Sequence, residues 1–376
     1  MKKKILFHIN SLGKGGAERV VSILTGCFSK DDYDVVVVTL WRAEEEYVLS
    51  ERVKRVNLED VWKGKSMGRL ERAVRRFWDL RKILRKEKPD IVISFCNKAN
   101  FRCAYAMLGM RTPLLTSVRN DPKTDYLPYK KSVKRMEKKA SGCVFQTTDA
   151  KACFSEAFQK KSRVIWNPID EKYLSVNRQR FETGEDNGQK LNYDIVTVGR
   201  LSEQKNHLLL LRAFKRVREQ LPDLECQLKI YGEESEAGMK AKLLEYVKMQ
   251  GMEDAVHFMG QCSSIEEEIS NASLFVLSSD YEGMPNALIE AMVLGLPVIS
   301  TDCPCGGPAE LIENEVSGIL IPVGDKEGLA NAMIRVLQEE ELAKRLGRNA
   351  RMLAEKVSPQ KIYEEWKSYV DELISS

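Results

Sequence analysis

Short runs of β-branched and aromatic residues alternate with amphipathic stretches along the whole chain. In the first half the apolar runs are Ile5–Ile9, Val35–Leu40, Val53–Leu58, Ile91–Phe95, Leu114–Val118, Cys143–Gln146 and Val164–Trp166. Helical patterns separate them: one from about Ala17, a long one near Gly68–Lys86 and a basic one around Tyr129–Lys139. Continuous rather than alternating apolar runs are what strands need when helices cover both faces of a parallel sheet. The pattern then restarts, with runs Ile195–Val198, Cys226–Tyr231, Val256–Met259, Leu274–Leu277 and Val298–Ser300 between helices Leu208–Arg218, Met239–Met249 and Asn286–Leu294. Helical segments Leu329–Gln338 and Leu342–Lys356 follow. Between the two sets, from Val176 to Asn192, the chain is polar and contains Thr183-Gly184-Glu185-Asp186-Asn187-Gly188, a linker signal. The last helix, Gln360–Ile374, carries Ile362, Tyr363, Trp366, Tyr369, Val370 and Leu373 on one broad face, and so predicts a large partner, the first domain. The expected fold class is α/β, with two Rossmann-like, doubly wound domains at residues 1–175 and 190–358.

Length agrees, since 376 residues exceed one ordinary core. With 43% hydrophobic and 30% charged residues and 12 prolines, the chain has the composition of a soluble globular protein. The run Ile5–Leu12 is interrupted by His8 and Asn10, which argues against a secretory signal, and no stretch approaches the roughly 20 apolar residues of a spanning helix. A cytoplasmic protein is expected. Nine cysteines, an odd number without metal-ligand spacing, fit a reducing compartment, and Cys303-Pro304-Cys305 lacks the second pair a zinc site needs. No metal or cofactor is expected.

The net charge of +4 hides an asymmetry. Residues 1–180 carry 39 Lys and Arg against 21 Asp and Glu, a balance of +18, while residues 181–376 carry 20 against 34, a balance of −14. A half so basic favours anionic partners: nucleic acid, an anionic membrane surface or a pyrophosphate-bearing molecule. No nucleic-acid recognition motif supports the first.

Open α/β sheets bind ligands beyond the carboxyl ends of their strands, so the loops after strands hold the candidate chemistry. After the first strand, Gly13-Lys14-Gly15-Gly16-Ala17-Glu18 offers close backbone approach and a helix N-terminus to a phosphate, or serves as an ordinary strand-to-helix turn. A dinucleotide fingerprint would need glycine where Glu18 stands and an acidic residue where Trp41-Arg42 stand. After Ile195–Val198, the loop Gly199-Arg200-Leu201-Ser202-Glu203-Gln204-Lys205-Asn206 sets two cations beside a new helix, suited to charge growing on a departing nucleoside diphosphate. The most specific stretch is Ser278-Ser279-Asp280-Tyr281-Glu282-Gly283-Met284-Pro285-Asn286-Ala287-Leu288-Ile289-Glu290. Glu282 ends a loop after a buried strand, Gly283 permits close approach, Pro285 suits a first helical turn, and the N–H groups of Asn286 and Ala287 face an anion. Glu290, a turn further on among apolar neighbours, can accept two hydrogen bonds from a vicinal diol.

The spacing Glu282 to Glu290, with Gly295-Leu296-Pro297-Val298-Ile299 downstream and Gly199-Arg200 and Lys205-Asn206 upstream, resembles the retaining two-domain glycosyltransferases of the GT-B fold and sequence family 4. Gly15-Gly16-Ala17-Glu18-Arg19, Asn167-Pro168, Gly318 and Pro322-Val323-Gly324-Asp325 fall where that family has counterparts, and Thr301–Pro308 is similar to members that build bacterial capsule, O-antigen or exopolysaccharide. The resemblance implies two domains facing each other across a cleft, acceptor side first. It implies transfer of a hexose or N-acetylhexosamine from a nucleotide sugar, UDP-linked, to a polyprenyl-pyrophosphate-linked or glycan acceptor. Arg200 and Lys205 would hold the diphosphate, Glu290 the ribose and Glu282 the donor sugar, with Gly283, Met284, Pro285, Asn286 and Ala287 around it. Gly15 and Gly16 would close over the phosphates. Glu282, Arg200 and Lys205 are the expected catalytic set.

Many such enzymes place a histidine after the fourth or fifth strand, and His8, His207 and His257 do not fit that place. The equivalent loop, Ser117-Val118-Arg119-Asn120-Asp121-Pro122, offers Arg119, Asn120 and Asp121 to the sugar or acceptor, or caps itself with its own polar side chains. Alternatives therefore stay open: a nucleotide-sugar-binding protein without catalysis, or a related enzyme with a soluble acceptor. Asp32-Tyr33-Asp34 matches a D-x-D metal signature but precedes a strand, at the wrong end for a ligand. The helix Gly68–Lys86 places Leu70, Val74, Phe77, Trp78 and Leu84 at helical spacing among cations, and Lys130, Lys131, Lys134, Arg135, Lys138 and Lys139 form a second basic cluster. The expected reading is an inward apolar stripe with cations turned to anionic lipid, making the protein peripheral on the inner face of the plasma membrane.

Overall fold

The computed structural model describes residues 2–13, 15–62, 67–182 and 193–376. Of the expected linker, Val176 to Asn192, residues 183–192 lie outside the described residues. The chain forms two compact units, Met1–Pro168 with Pro359–Ser376, and Ile169–Ser358.

The first unit holds a seven-stranded parallel sheet: β1 (Lys3–His8), β2 (Tyr33–Thr39), β3 (Lys54–Asn57), β4 (Ile91–Phe95), β5 (Leu114–Ser117), β6 (Gly142–Phe145) and β7 (Ser162–Val164), in the order β3-β2-β1-β4-β5-β6-β7. Ile5 pairs with Val35 on one side and Ile91 on the other, so the central strand is apolar on both faces. Parallel neighbours need crossovers, and the helices Gly16–Lys30, Arg69–Glu87, Asn97–Ala106 and Lys130–Lys139 provide them. The C-terminal helix, Pro359–Ser375, buries Ile362, Tyr363, Trp366, Tyr369 and Val370 in this unit's core. Trp366 stacks on Phe95 at 5.6 Å, Tyr363 meets Phe28 edge-on at 4.9 Å, and Asp31 accepts hydrogen bonds from Tyr363 Oη at 2.7 Å and Lys367 Nζ at 2.5 Å. Those two donors hold the Asp31 carboxyl down at about 2.

The second unit holds β8 (Tyr193–Val198), β9 (Cys226–Tyr231), β10 (Val256–Gly260), β11 (Leu274–Leu277), β12 (Val298–Thr301) and β13 (Ile319–Ile321), all parallel, in the order β10-β9-β8-β11-β12-β13. Leu210, Phe214, Leu228, Ile230, Leu274, Val276, Ile299 and Met333 are among its fully buried residues.

Two expectations are corrected. The passage between units falls at Pro168–Ile169, ahead of the expected boundary at residue 175. Ile169 and Tyr173 are buried in the second unit, so the helix Glu171–Glu182 belongs there; the polar composition begins only after these anchors. The apolar stripe of Arg69–Glu87 also divides. Leu80 and Leu84 are buried, whereas Leu70, Val74 and Trp78 are 80, 48 and 52% exposed, because the inward stripe is narrow and these three lie outside it.

Candidate functional site

In the second sheet the strand order reverses between β8 and β11, so the crossovers leave in opposite directions and their loops part at the carboxyl edge. The two candidate loops, 199–206 and 278–285, lie there and are stitched together. Asp280 N donates to Gln204 O at 2.9 Å, Gln204 Nε2 to Tyr281 O at 2.9 Å, Ser278 Oγ to Lys205 O at 3.0 Å, and Asn206 Nδ2 to Asp280 Oδ1 at 2.8 Å. Asn206, left-handed at φ 41°, also caps the next helix by accepting from Leu209 N at 3.1 Å.

Lys205 Nζ is thereby set 2.5 Å from Glu282 Oε1, and Ser279 Oγ donates to the same oxygen at 2.7 Å. Both bonds fall on Oε1, and Oε2 has no protein partner among the described residues. The side chains are 15 and 8% exposed, a degree of burial that each charge tolerates only because the other is present. The segment after β12 fixes the carboxylate's backbone: Glu282 N donates to Pro304 O at 2.6 Å and Cys305 N to Glu282 O at 2.9 Å. A Cβ on Gly307 would lie 1.8 Å from Gly283 O, so only glycine allows this approach.

The helix Asn286–Val293 follows directly, with Pro285 as its N-cap rather than in its first turn, because Pro285 keeps extended backbone at ψ 107°. Pro285 makes no side-chain cap bond; Asn286 and Ala287 are half-buried, and Gly283, Met284 and Pro285 are buried. Glu290 is 4% exposed and accepts from Tyr173 Oη at 2.8 Å. Arg200 is exposed and forms no ion pair among the described residues. Lys205, Glu282 and Glu290 are thus brought to one edge of one sheet, with Arg200 on the loop beside them. Tyr173 and Ser279 join them without having been assigned a role from sequence. Ser279 stands in the motif itself, but nothing local marks Tyr173, whose partner is 117 residues away. His207 is buried, its pKa pushed down to about 4 by burial and by Lys205.

In the first unit the order reverses between β1 and β4. His8 ends β1 and is buried, with Nδ1 bonded to Val38 O at 2.8 Å and Nε2 to Arg102 Nη1 at 2.8 Å. Burial and the Arg102 charge push it down to about 3, so it stays neutral, donating from Nδ1 and accepting at Nε2. Gly15 is the N-cap of Gly16–Lys30, and Lys14 lies outside the described residues. A Cβ on Gly15 would meet Glu18 Oε2 at 2.3 Å, so the first-turn carboxylate folds back over the end expected to face phosphates. Arg119 is half-buried, its pKa lowered to about 10 by burial; its guanidinium lies 5.5 Å from the Phe95 ring centre and donates to Asn167 Oδ1, which also accepts from Gln146 Nε2 at 2.9 Å. Asp121 is buried and caps its own turn by accepting from Lys123 N at 3.0 Å, and Asn120 bonds Asp125. Of the three candidates, Arg119 is the one whose side chain is shown bonded to a residue far along the chain, Asn167. Asp32 and Asp34, at the amino end of β2, lie 3.4 and 3.1 Å from Lys2 and Lys4.

A sequence profile of the glycosyl transferases group 1 matches residues 176–353, and one of glycosyltransferase family 4 matches residues 14–173. The chain belongs to this glycosyltransferase family. It is 27% identical, over 98% of its length and 99% of the relative's, to the GalNAc-alpha-(1->4)-GalNAc-alpha-(1->3)-diNAcBac-PP-undecaprenol alpha-1,4-N-acetyl-D-galactosaminyltransferase of Campylobacter jejuni. It is 25% identical, over 98 and 99% of the two chains, to the amylovoran biosynthesis glycosyltransferase AmsD of Erwinia amylovora. Among solved structures, Anabaena Alr3699/HepE in complex with UDP-glucose superposes with a TM-score of 0.79 at 20% identity, covering 98 and 99% of the chains. That likeness gives the same α/β architecture of two Rossmann-like sheets. No helix among the described residues is long and apolar enough to cross a membrane.

Proposed function

We propose that this glycosyltransferase moves a hexose or N-acetylhexosamine from a UDP-linked donor, with retention of configuration and without a metal ion, to a lipid-linked or polysaccharide acceptor in bacterial surface polysaccharide synthesis. The observation that carries the reading is the Lys205–Glu282–Ser279 cluster at the β8/β11 switch point, with Glu290 one turn along the helix that follows. Lys205 and Arg200 hold the diphosphate and stabilise the charge it gains on departure. Glu282 accepts donor-sugar hydroxyls at Oε2, Glu290 takes the ribose diol, and the first helical turn at Asn286 and Ala287 faces the anion. The leaving phosphate takes the acceptor proton, a course that needs no histidine and agrees with His8 being neutral and internally bonded. UDP and a lipid-linked acceptor are supported by the relatives, one named for an undecaprenol-linked acceptor and one solved with UDP-glucose. Arg119 is the candidate contact to sugar or acceptor in the first unit, and Gly15 and Gly16 remain candidates for the phosphates.

The exposed Leu70, Val74 and Trp78, with Arg75, Lys82 and Lys86 on the same helix, support docking on an anionic membrane surface. Liposome sedimentation tests this, and equal binding to neutral and anionic vesicles refutes it. The activity is tested with radiolabelled UDP-sugars and a polyprenyl-pyrophosphate-linked glycan, with the product's anomeric configuration read by NMR. An inverted linkage, or loss of transfer in EDTA, overturns the mechanism; no UDP-sugar turned over or bound overturns the donor.

A further inference from the structure

One guanidinium at the switch point of the first sheet has no ion-pair partner among the described residues. Arg102 lies on the helix Asn97–Ala106, which follows β4, and its Nη1 reaches across to the end of β1, donating to His8 Nε2 at 2.8 Å and Asn10 Oδ1 at 3.2 Å. Both acceptors are neutral, and both residues are held in place: His8 Nδ1 donates to Val38 O at 2.8 Å, and Asn10 O accepts from Leu40 N at 2.8 Å. The helix is held as well. Its N-cap, Cys96, takes φ 70° and ψ 160°, backbone that favours glycine, and is kept there by Cys96 N donating to Ser117 O at 3.1 Å. Asn100 Nδ2 ties the first turn to the same carbonyl at 2.9 Å and to Tyr126 Oη at 2.8 Å. Folding therefore sets where Arg102 stands, at the carboxyl edge where open sheets bind ligands.

The charge itself is left over. Glu59, the carboxylate whose field reaches Arg102, is taken by Arg76, whose Nε donates to it at 2.8 Å, so those two charges offset each other. Burial pulls the Arg102 pKa down to about 10, which still keeps it protonated at neutral pH. A half-buried cation seated on neutral acceptors has its orientation fixed and its charge unanswered. Its Nε and Nη2 lie on one edge of the guanidinium plane, have no protein partner among the described residues and are not sealed from solvent. That edge is the fork that meets two oxygens of one oxyanion, whereas a sugar hydroxyl would leave the charge unmatched. We propose that Arg102 is an oxyanion-binding residue, its Nε–Nη2 edge taking two oxygens of one phosphate group, in the donor's diphosphate or in the acceptor's pyrophosphate. The choice between those two sources rests on the proposed transferase reading; the binding of a phosphate does not.

NMR of the full chain with isotope-labelled arginine reads the site directly. The Nε–H signal missing from Arg102→Lys belongs to Arg102, and inorganic pyrophosphate at millimolar concentration should shift it saturably, in Lys205→Met as in the wild type. In Arg102→Gln, UDP affinity by calorimetry should fall about 10-fold if the phosphate is the donor's, and KM for a polyprenyl-pyrophosphate-linked glycan should rise about 10-fold if it is the acceptor's, as loss of charge-assisted hydrogen bonds predicts. Arg102→Lys keeps the charge without the fork; it should show a smaller change in the same constant, and it decides the matter if Arg102→Gln does not fold by circular dichroism. An Arg102 signal that ignores pyrophosphate, or UDP affinity and acceptor KM both unchanged in the two variants, overturns the site. A wild-type chain whose Arg102 signal answers pyrophosphate but which neither binds UDP nor transfers sugar overturns the transferase reading and leaves the oxyanion site standing.

Discussion

Removing the charge of Glu282 should expose how tightly the site depends on it. The pair with Lys205 is short, at 2.5 Å, and both side chains are mostly out of water, at 8 and 15% exposure. At an effective dielectric of about 20, opposite charges about 4 Å apart attract by about 4 kcal/mol, and desolvation of both ions offsets much of this. Glu282→Gln keeps the shape and an acceptor for Ser279 but leaves the Lys205 cation without a counter-charge, at an expected cost of about 2–3 kcal/mol. Lys205→Met leaves the carboxylate with Ser279 alone and should cost a similar amount. The double variant should cost less than the two singles together, by at least about 1.5 kcal/mol, since neither residue then lacks its partner. In a domain of this size each kcal/mol moves the thermal midpoint by about 2–4 °C, so differential scanning resolves the second unit's transition in all four proteins. UDP supplies the functional arm: at about 100 times its Kd it should raise wild-type stability by about 2.7 kcal/mol, and at the same concentration Lys205→Met should gain about 1.4 kcal/mol less. Simple additivity of the two substitutions would refute the pairing. An undiminished UDP shift in Lys205→Met would refute the diphosphate role.

Tyr173→Phe removes the hydroxyl that holds Glu290 Oε2 while keeping the ring; UDP affinity by calorimetry should fall about 3- to 10-fold with kcat unchanged, and an equal fall in Glu290→Gln/Tyr173→Phe relative to Glu290→Gln would show that the hydroxyl does not act through Glu290. His8 binds its proton near pH 3 in the folded chain and near about 6.5 when unfolded, so the unfolded state holds more protons between those values and stability falls as pH drops through that window. His8→Gln should flatten the dependence of the urea midpoint on pH between about 7 and about 5, and identical slopes would contradict the buried neutral imidazole. Trp366→Ala should destabilise the first unit by about 3–5 kcal/mol, read as a lower urea midpoint, because its ring is fully buried against Phe95.

Strands that are buried on both faces announce themselves as apolar runs, which is why β1, β2, β4 and β8 could be read directly. β13 could not: Ile319–Ile321 is three residues long and takes its place by pairing with β12. β7 begins two residues before its expected start, because Ser162 and Arg163 join the ladder with β6 although their side chains carry no apolar signal. At the site, Glu282 and Lys205 were legible from loop position, but the bond that joins them spans 77 residues. Tyr173 had no local signature at all, since an aromatic residue in an amphipathic turn reads as core until its hydroxyl's partner is known. Asp121 was ambiguous: its acidic side chain before Pro122 fits both a ligand contact and a cap, and in the structure it accepts the cap bond from Lys123 N. The stripe at Leu70, Val74 and Trp78 misled because helical spacing specifies a face and says nothing of what covers it.

The two cations assigned to the diphosphate differ in a way that bears on how the site works. Lys205 is anchored before any ligand arrives: its backbone carbonyl accepts from Ser278 Oγ, its ammonium is held by Glu282, and the next residue caps a helix. Its position is therefore set by folding, and a donor that uses it meets little further ordering cost. Because an ammonium has three protons and Glu282 accepts only one, Lys205 can keep the carboxylate and still reach a phosphate oxygen, while Oε2 stays open to a sugar hydroxyl. Arg200 is exposed and unpaired among the described residues, so fixing its side chain on a ligand costs about 0.5–1.5 kcal/mol of rotamer entropy. On the proposed roles, that cost is met only where the charge on the phosphate is greatest, in the departing diphosphate. Lys205 then governs ground-state donor affinity as well as turnover, and Arg200 acts chiefly on turnover.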